Sequence, residues 1–300
     1  MDLNDLPIIV RSEPQDFIYQ FLSRQIMPIC HATALLFNTF ETLEHDSLTQ
    51  LGTTFASRNL IMPIHAIGPL LPLKVIANDD GSVAHKQSSV GIFDEDANCL
   101  HWLDTQADKS VVYISFGSIF RMDDFQFIEL VAGLEASGQA FLWSIRPDFV
   151  PGGYMDKLPI SFTQSTSQRG LLTTWVPQLD VLKHRAIGAF LTHCGWNSTI
   201  ESIAMGVPML CWPDVGERRT NGRLVVSVWK AGLEFTRVGT GEVERKEVER
   251  VIRLLMEDTH TSKVLRSNAF GLHQAARVAM SKGGSSSHEW ESLLQIFKRL

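Results

Sequence analysis

The residues best suited to chemistry lie in one stretch, residues 175–218 of the 300-residue chain. An apolar run over residues 187–192 is long enough for a buried strand and leads directly into His193, Cys194 and Gly195. Residues 197–198 follow, and residues 199–204 predict a helix. A strand, a glycine turn and a helix start aim free backbone N–H groups at one point, where they can bind an anion. The pattern therefore predicts an anion site at this turn.

The elements that must position this turn can be traced from other apolar runs in the chain. Short continuous runs, typical of parallel strands covered on both faces, alternate with helical patterns. The runs occupy residues 111–116, 141–145, 170–174, 187–192, 209–212 and 233–235. This alternation predicts right-handed βαβ units and an open, mostly parallel sheet, with ligands beyond the carboxyl ends of its strands. The chain has no GxGxxG sequence, which argues against a dinucleotide oxidoreductase.

Composition argues against several other classes of protein. A hydrophobic fraction of 44% fits a globular chain with a core, and a net charge of −6 argues against nucleic-acid or anionic-membrane partners. No apolar run predicts a membrane span, and the amino terminus lacks the pattern of a secretory signal. The cysteines form no CxxC pair, so neither a zinc site nor a disulfide framework is expected. We therefore expect a cytoplasmic monomer without a metal ion or cofactor.

The stretch from Trp175 to Arg218 resembles the nucleotide-sugar signature of the plant family 1 UDP-dependent glycosyltransferases. The resemblance implies a GT-B fold, which is an α/β architecture of two Rossmann-like lobes. It also implies that a sugar, expected to be glucose, passes from a UDP-sugar to a hydroxyl or carboxyl group of a small plant metabolite, with inversion and without a metal ion. Residues 39–44 and 212–221 are similar to an iridoid-acid subgroup. The residues at the family's spacing are Trp175, Pro177, Gln178, residues 193–198, Glu201, residues 206–208, Trp212 and Pro213.

The resemblance also divides the chain. Residues 1–70 are similar to the last β/α units of the family's acceptor lobe, so we expect a truncated first lobe. Residues 71–98 are polar and without periodicity, which predicts a linker. Residues 99–283 are expected to form a complete UDP-sugar-binding lobe. Residues 284–300 are expected to form a helix that packs back on the first lobe through an apolar stripe of Trp290, Leu293, Leu294, Phe297 and Leu300.

The resemblance assigns each part of the UDP-sugar to particular residues. It places the uracil on the ring of Trp175 and beside the backbone of Val176. The ribose hydroxyls would meet Gln178 and Glu201. The diphosphate would lie at helix N-termini, where fixed dipoles and a histidine can stabilise the departing UDP without a metal ion. The residues implied to bind the diphosphate are Ser118, His193, Asn197 and Ser198, with Gly195 as the turn residue of the same UDP-sugar site. Those implied to bind the sugar are Trp196, through its backbone, Glu217 and Arg218.

Several of these residues also have structural interpretations. Trp175 and His193 each fit a purely structural role in a core. Glu201 follows Ser198 by three residues, so this pair also fits a capping box, S-x-x-E. Cys194 is interpreted as a small buried residue, because no paired base is evident. Loop and packing roles are expected for Arg146, Asp148 and Trp212.

The sequence departs from the family at two points. The family's signature usually closes with an acidic residue and then Gln or His, whereas this chain has Glu217 and Arg218. A guanidinium offers donors only, so we expect either a preference for a sugar that carries a carboxylate or weaker sugar binding.

The second departure concerns catalysis. The family's catalytic histidine and its aspartate lie upstream of the point where this chain starts, and His31, His45 and His65 lack their context. No catalytic residue is therefore predicted. A non-catalytic UDP-sugar-binding protein, or an interaction remnant that binds no nucleotide, remain alternatives to a transferase.

Overall fold

The computed structural model describes residues 10, 12–60, 62–71, 96, 98–214, 216–239 and 241–298. The predicted linker over residues 71–98 lies almost entirely outside these ranges, and so does Leu300 of the predicted apolar stripe. Within them, helices alternate with strands that form one sheet of six strands and one of two. The predicted α/β class and parallel sheet are therefore confirmed.

The first part of the structure, residues 12–71, is called here the two-stranded segment. It comprises helix α1 (Phe17–Ile26), the 3-10 turn Met27–His31, strand β1 (Leu35–Phe37), helix α2 (Glu41–Ser57) and strand β2 (Ile64–Ala66). The two strands are parallel and pair Leu36 with His65. Burial in this segment is sparse, because α1 has no buried residue and Leu36 is 47% exposed. Its buried apolar side chains are Phe40, Leu43, Ala66 and Ile67.

Residues 98–281 form the second part, called the six-stranded region. Its strands are β3 (Val111–Ser115), β4 (Ala140–Ser144), β5 (Gly170–Thr173), β6 (Ile187–Thr192), β7 (Met209–Cys211) and β8 (Gly232–Glu234). Their spatial order is β5-β4-β3-β6-β7-β8, and every neighbouring pair is parallel. The chain adds strands outward from β3 to β5 and then returns to β6 on the other side of β3. The carboxyl ends of β3 and β6 therefore flank the switch point at which sheets of this type bind ligands.

The two central strands are buried along their whole length. Every residue of β3 and β6 is buried, which explains why their sequences are continuous apolar runs. Alternate residues of β3 enter different cores, because side chains along a strand point to opposite faces. Val112 and Ile114 belong to one hydrophobic cluster, and Val111 and Tyr113 belong to the other.

Helices cover both faces of this sheet. They are α3 (Asn98–Asp104), α4 (Asp124–Ser137), α5 (Ile160–Thr166), α6 (Gln178–Lys183), α7 (Trp196–Met205), α8 (Arg218–Arg223), α9 (Arg245–Met256) and α10 (His260–Met280). Capping explains the ends of α4: the side chain of Asp123 accepts a bond from Gln126 N, and Gly138 closes the helix in a left-handed conformation. A final helix, α11 (Ser285–Phe297), follows α10.

The predicted start of one helix is wrong. The sequence predicts a helix from residue 199, but α7 begins at Trp196 because Gly195 is its N-cap. Helix α11 begins at Ser285, with Gly284 as its N-cap. Helix α8 continues directly into the π-helical turn Leu224–Val228.

Three tryptophans connect the two-stranded segment to the rest of the molecule. Each donates its indole Nε1–H to a backbone carbonyl of that segment, which gives the polar edge of the ring a hydrogen-bond partner. We call them the indole anchors. The pairs are Trp196 to Asn38 O at 2.8 Å, Trp229 to Leu43 O at 3.3 Å and Trp290 to Ile67 O at 3.0 Å.

Helix α11 makes two further polar contacts with the same segment. Ser286 Oγ donates to Gly68 O at 2.6 Å. His65 Nδ1 lies 2.6 Å from Glu289 Oε2, and the imidazole is almost fully buried. The helix is thus held against β2 and the residues that follow it.

In the part of the chain that the structure describes, no helix combines the length and the apolar character needed to cross a bilayer. Over the same ranges, no group of three His, Cys, Asp or Glu side chains is arranged so that it could hold a metal ion.

Candidate functional site

The candidate site is formed by two loops at the switch point of the larger sheet. One loop runs from the end of β3 through Gly117 and Ser118 to the cap of α4. The other runs from the end of β6 through His193 to the start of α7. Because β3 and β6 are neighbouring parallel strands, both loops leave the sheet at the same edge.

The imidazole of His193 is the point at which the two loops meet. A Cβ atom on Gly117 would lie 2.7 Å from His193 Cε1, and one on Gly195 would lie 2.6 Å from His193 Nε2. Both distances are shorter than real side-chain contacts, so each glycine is needed to make room for the ring. The sequence alone assigns Gly195 to a sharp turn, but its φ of −60° is ordinary. The left-handed residue of the turn is Cys194, with φ of 63°.

Cys194 holds this conformation because its backbone is bonded on both sides. Its N–H donates to Thr192 Oγ1 at 3.3 Å, and its carbonyl accepts from Asn221 Nδ2 at 2.9 Å. Its thiol is buried beside Cys211, whose pKa is raised by a hydrogen bond with Cys194 and by burial. These contacts agree with the interpretation of Cys194 as a small buried residue.

The start of α7 presents unbonded backbone N–H groups beside this histidine. The first helical bond runs from Thr199 N to Gly195 O at 2.9 Å, so the amides of residues 196–198 precede the ladder of helical hydrogen bonds. No side chain caps this end. Ser198 is the third residue of the helix and not its N-cap, so the capping-box interpretation of Ser198 and Glu201 is wrong.

Glu201 is instead held by Gln178. Gln178 Nε2 donates to Glu201 Oε2 at 2.7 Å and to Ser198 Oγ at 3.2 Å, while its Oε1 accepts from Tyr113 Oη at 3.0 Å. Burial raises the pKa of Glu201 and that of Tyr113 above their ordinary values. Four polar side chains from β3, α6 and α7 are therefore joined in one network, of which the sequence alone missed Tyr113. The available signal was a hydroxyl inside an otherwise apolar strand, because such a group must find a partner.

The electrostatics of the site keep His193 neutral. Burial lowers the pKa of His193 to about 4, and the nearby guanidinium groups of Arg218 and Arg146 act in the same direction against the opposing charge of Asp214. Among the residues that the structure describes, its Nδ1 atom is buried without a hydrogen-bond partner. A neutral imidazole at pH 7 can offer a ligand a hydrogen bond without burying a second positive charge.

The remaining residues assigned to the uracil and to the diphosphate lie at the same edge of the sheet. Trp175 follows β5 and is half-buried, and its carbonyl accepts a bond from Asp96 N at 2.9 Å. Val176 is buried, whereas Ser118 and Asn197 are exposed.

The two charged residues assigned to the sugar differ in exposure and in ion pairing. Glu217 is exposed, just before α8. Arg218 Nη1 lies 2.8 Å and 2.7 Å from the two carboxylate oxygens of Asp214, and its side chain is only 14% exposed. Its charge is therefore paired within the protein. A carboxylate on a ligand would have to share this guanidinium with Asp214.

Two of the three tryptophans of the signature, Trp196 and Trp212, place their rings in structural contacts. The indole of Trp196 donates to the two-stranded segment, so the backbone N–H is the part of this residue that lies among the first amides of α7. Trp212 is buried, with its ring centroid 5.0 Å from that of Phe235 and 6.2 Å from that of Phe116, as its packing interpretation predicts. Its ring also helps to line a cavity of about 310 Å³ between the loop after β3 and residues 212–214.

Comparison with known proteins gives a consistent result. Residues 71–273 match the family described as UDP-glucoronosyl and UDP-glucosyl transferase. UDP-glycosyltransferase 85A2 of Arabidopsis thaliana is 40% identical over 294 residues, which cover 97% of this chain and 58% of that relative. The 7-deoxyloganetin glucosyltransferase of Gardenia jasminoides is 39% identical over 297 residues, which cover 98% and 58%. The chain thus spans about 58% of the length of these curated relatives.

Solved structures show the same similarity. Phytolacca americana UGT2, complexed with UDP-2fluoro-glucose and pterostilbene, superposes with a TM-score of 0.83 at 32% identity, covering 98% of this chain and 61% of that one. Os79 from O. sativa in complex with UDP superposes with a TM-score of 0.82 at 32% identity, covering 96% and 61%.

Proposed function

This chain belongs to the family of UDP-glucuronosyl and UDP-glucosyl transferases and has the α/β architecture of its GT-B fold; from that premise we propose that it binds a UDP-sugar at the switch point between β3 and β6. One observation carries the proposal. The loop after β3, at Gly117, and the loop after β6, at Gly195, both border the neutral imidazole of His193, and the amides of residues 196–198 at the start of α7 lie beside it. This arrangement offers several hydrogen-bond donors to a diphosphate.

The rest of the donor would follow from the same edge of the sheet. We place the uracil against Trp175 and the backbone of Val176, and the ribose hydroxyls at Glu201. Gln178 already binds Glu201 Oε2, so it would fix the carboxylate that accepts from the ribose. Stacking of a base on an indole contributes about 1–3 kcal/mol by analogy with other base–aromatic contacts.

Titration of the purified chain with UDP tests this donor site. We expect one UDP per chain, and about tenfold weaker binding by His193→Ala, which corresponds to the loss of one hydrogen bond of about 1.4 kcal/mol. Uridine, which lacks the phosphates, should bind both proteins equally. Failure of the unaltered chain to bind UDP at millimolar concentrations would overturn the donor site and would favour a protein that binds no nucleotide.

For the reaction we propose transfer of glucose to a hydroxyl or carboxyl group of a small plant metabolite. Support comes from similar proteins named as glucosyltransferases and from a solved relative complexed with UDP-2fluoro-glucose and pterostilbene. The acceptor oxygen would form a bond to the anomeric carbon from the face opposite UDP, and the bond from that carbon to the β-phosphate oxygen would break. The donor-site amides, Ser118 and His193 would stabilise the charge that grows on UDP. We assign no residue of this chain to removal of the acceptor proton.

A transfer assay separates a transferase from a protein that only binds the donor. The assay offers UDP-glucose together with a panel of phenols, aliphatic alcohols and carboxylic acids, including iridoid acids, and detects the glucoside by mass. Product above a control without protein supports transfer. UDP binding with no product from any acceptor would instead support a non-catalytic UDP-sugar-binding function.

The sugar itself is expected to meet Glu217, Arg218 and the backbone of Trp196. Because Asp214 already pairs with Arg218, we expect a neutral sugar to be accepted and a sugar carboxylate to compete with Asp214. Comparing UDP-glucose with UDP-glucuronate in Arg218→Gln and in the unaltered chain decides this. An unchanged affinity ratio in the variant would show that Arg218 does not contact the sugar.

We further propose that the protein works as a cytoplasmic monomer, which is supported by its acidic net charge and by the absence of a paired-cysteine pattern from its sequence. Light scattering of the purified chain would give the mass of one chain, and a mass of two chains would contradict a monomer.

A further inference from the structure

The loop after β3 carries Ser118 into the candidate site but has little regular structure of its own. Gly117 is left-handed, with φ of 69°, and Ile119 is 77% exposed. Regular structure resumes only at α4, which Asp123 caps. A loop of this kind loses conformational entropy when it is fixed, so its shape needs a specific partner.

That partner is the guanidinium of Arg146, which follows the neighbouring strand β4. Its Nη1 donates to Gly117 O and its Nη2 donates to Phe120 O at 2.9 Å. Its Nε donates to Asp148 Oδ1 at 3.0 Å, so all three nitrogens are engaged. The side chain is 14% exposed. One planar group therefore holds both ends of the segment from residue 117 to residue 120.

The direction of these bonds matters for a ligand. In a trans peptide the C=O and the following N–H point in opposite directions. Because Gly117 O points at Arg146, the N–H of Ser118 points away from it. The same argument aims the N–H of Arg121 away from Arg146, because Phe120 O is also bonded.

We propose that Arg146 is a positioning residue for the donor diphosphate: by holding the carbonyls of Gly117 and Phe120, it fixes the loop in the shape that presents the Ser118 N–H and hydroxyl to the phosphates. The proposal rests on the donor site proposed above. Asp148 fixes the guanidinium in turn, and Arg121 Nη2 donates to the second oxygen of the same carboxylate at 2.9 Å. Arg146 also places a positive charge near His193, which favours an anionic ligand over a second cation.

The chain offers a matched control for the loss of such an arginine. Arg169 also holds two backbone carbonyls, with Nη1 on Gln139 O at 2.7 Å and Nη2 on Glu135 O at 2.8 Å. It lies just before β5, at the amino edge of the sheet, opposite the candidate site. A substitution there removes the same type of bond far from any ligand.

The experiment compares Arg146→Lys, Arg146→Gln and Arg169→Lys by titration with UDP and with uridine. Lysine keeps the charge but cannot hold two carbonyls and a carboxylate in one plane. We expect both Arg146 variants to bind UDP about tenfold more weakly and uridine within about twofold of the unaltered chain, because only the phosphate contacts are displaced. Arg169→Lys should change neither affinity. Full UDP affinity in Arg146→Lys, or an equal loss for UDP and uridine, would overturn the proposal.

Hydrogen exchange gives a readout that does not depend on UDP. Amides of residues 117–121 should exchange faster in Arg146→Lys than in Arg169→Lys, whereas the amides of β3 should exchange equally in both. Asp148→Asn leaves Arg146 in place but removes the carboxylate that Arg146 contacts. It should also accelerate exchange of residues 117–121, by a smaller factor, and it replaces the Arg146 variants if they fail to fold. Absence of UDP binding by the unaltered chain would overturn the donor site alone, while unchanged exchange of this loop would overturn the role of Arg146.

Discussion

The six-stranded region and the two-stranded segment are stabilised in different ways. In the first, central strands are buried along their whole length, and two hydrophobic clusters lie on opposite faces of the sheet. In the second, Leu36 on β1 is 47% exposed and Phe17 on α1 is 80% exposed. Among its described residues, the segment contributes only Phe40 and Leu43 to one of those clusters, and hydrogen bonds from the indole anchors to its backbone add to its attachment.

This difference indicates which part of the molecule can position a ligand-binding site. A site that must hold a diphosphate within tenths of an ångström needs loops mounted on rigid strands. Of the two parts that the structure describes, the six-stranded region is the one that provides them. Its loops leave space for the ring of His193 at Gly117 and Gly195, where a Cβ atom would lie 2.7 Å and 2.6 Å from the imidazole. Residues assigned to the donor accordingly lie at one edge of that region.

The largest expected effect tests the difference in burial directly. Phe190→Ala, in the centre of β6, should lower the free energy of unfolding by about 3–5 kcal/mol, because it leaves a cavity between close-packed neighbours. Leu36→Ala, in the middle of β1, should change it by less than about 1 kcal/mol. Chemical denaturation of both variants measures the contrast, and equal losses would refute it.

A pH titration of stability isolates the histidine of the site. Burial lowers the pKa of His193 to about 4 from its ordinary value of 6.5, so between these values the unfolded chain binds a proton that the folded chain does not. The free energy of unfolding should therefore fall as pH is lowered from about 6.5 to 4, by roughly 3 kcal/mol from this residue.

The matched variant for this titration is His193→Gln, which cannot take up the proton. The difference in unfolding free energy between it and the unaltered chain should depend on pH only within that window. A pH-independent difference would show that folding does not lower the pKa of His193.

A smaller effect is expected from Gly195, where a side chain would enter the space that the imidazole occupies. A Cβ on Gly195 would lie 2.6 Å from His193 Nε2, so Gly195→Ala must displace the imidazole and should weaken UDP binding by about tenfold. Gly271→Ala in α10 is the control, because its Cβ would meet nothing within 4 Å and should leave UDP binding unchanged. Equal affinities of the two variants for UDP would show that the imidazole of His193 does not occupy the space beside Gly195.

The smallest effect concerns the indole anchors. Trp290→Phe removes the bond to Ile67 O and should cost about 0.5–1.5 kcal/mol. The cost should appear as faster hydrogen exchange in residues 62–71, with UDP affinity unchanged. Exchange that accelerates equally in β3 would mean that the two parts of the molecule are stabilised together.

Much of the larger sheet could be predicted from sequence because its signals are local. Parallel strands covered on both faces are continuous apolar runs, and residues 111–115 and 187–192 are of this kind. The sequence does not predict the exact start of α7, because Gly195 leaves space for the ring of His193 and the helix begins directly after it.

The contacts that shape the site could not be predicted because they join residues far apart in the chain. Tyr113 and Gln178 are 65 residues apart, and Arg146 binds a carbonyl 29 residues away. Nothing in either local sequence specifies its partner. Such pairings follow only once the strand order brings the ends of β3, β4 and β6 together.

The indole anchors have a mechanical consequence. They attach at Asn38, Leu43 and Ile67, which are separate points on the two-stranded segment. Rotation of the segment about one anchor would displace the donors and acceptors of the other two, so it would have to break at least two hydrogen bonds at once. The segment and the larger sheet should therefore travel as one rigid unit, and any opening and closing of a ligand cleft would have to pivot at some other place.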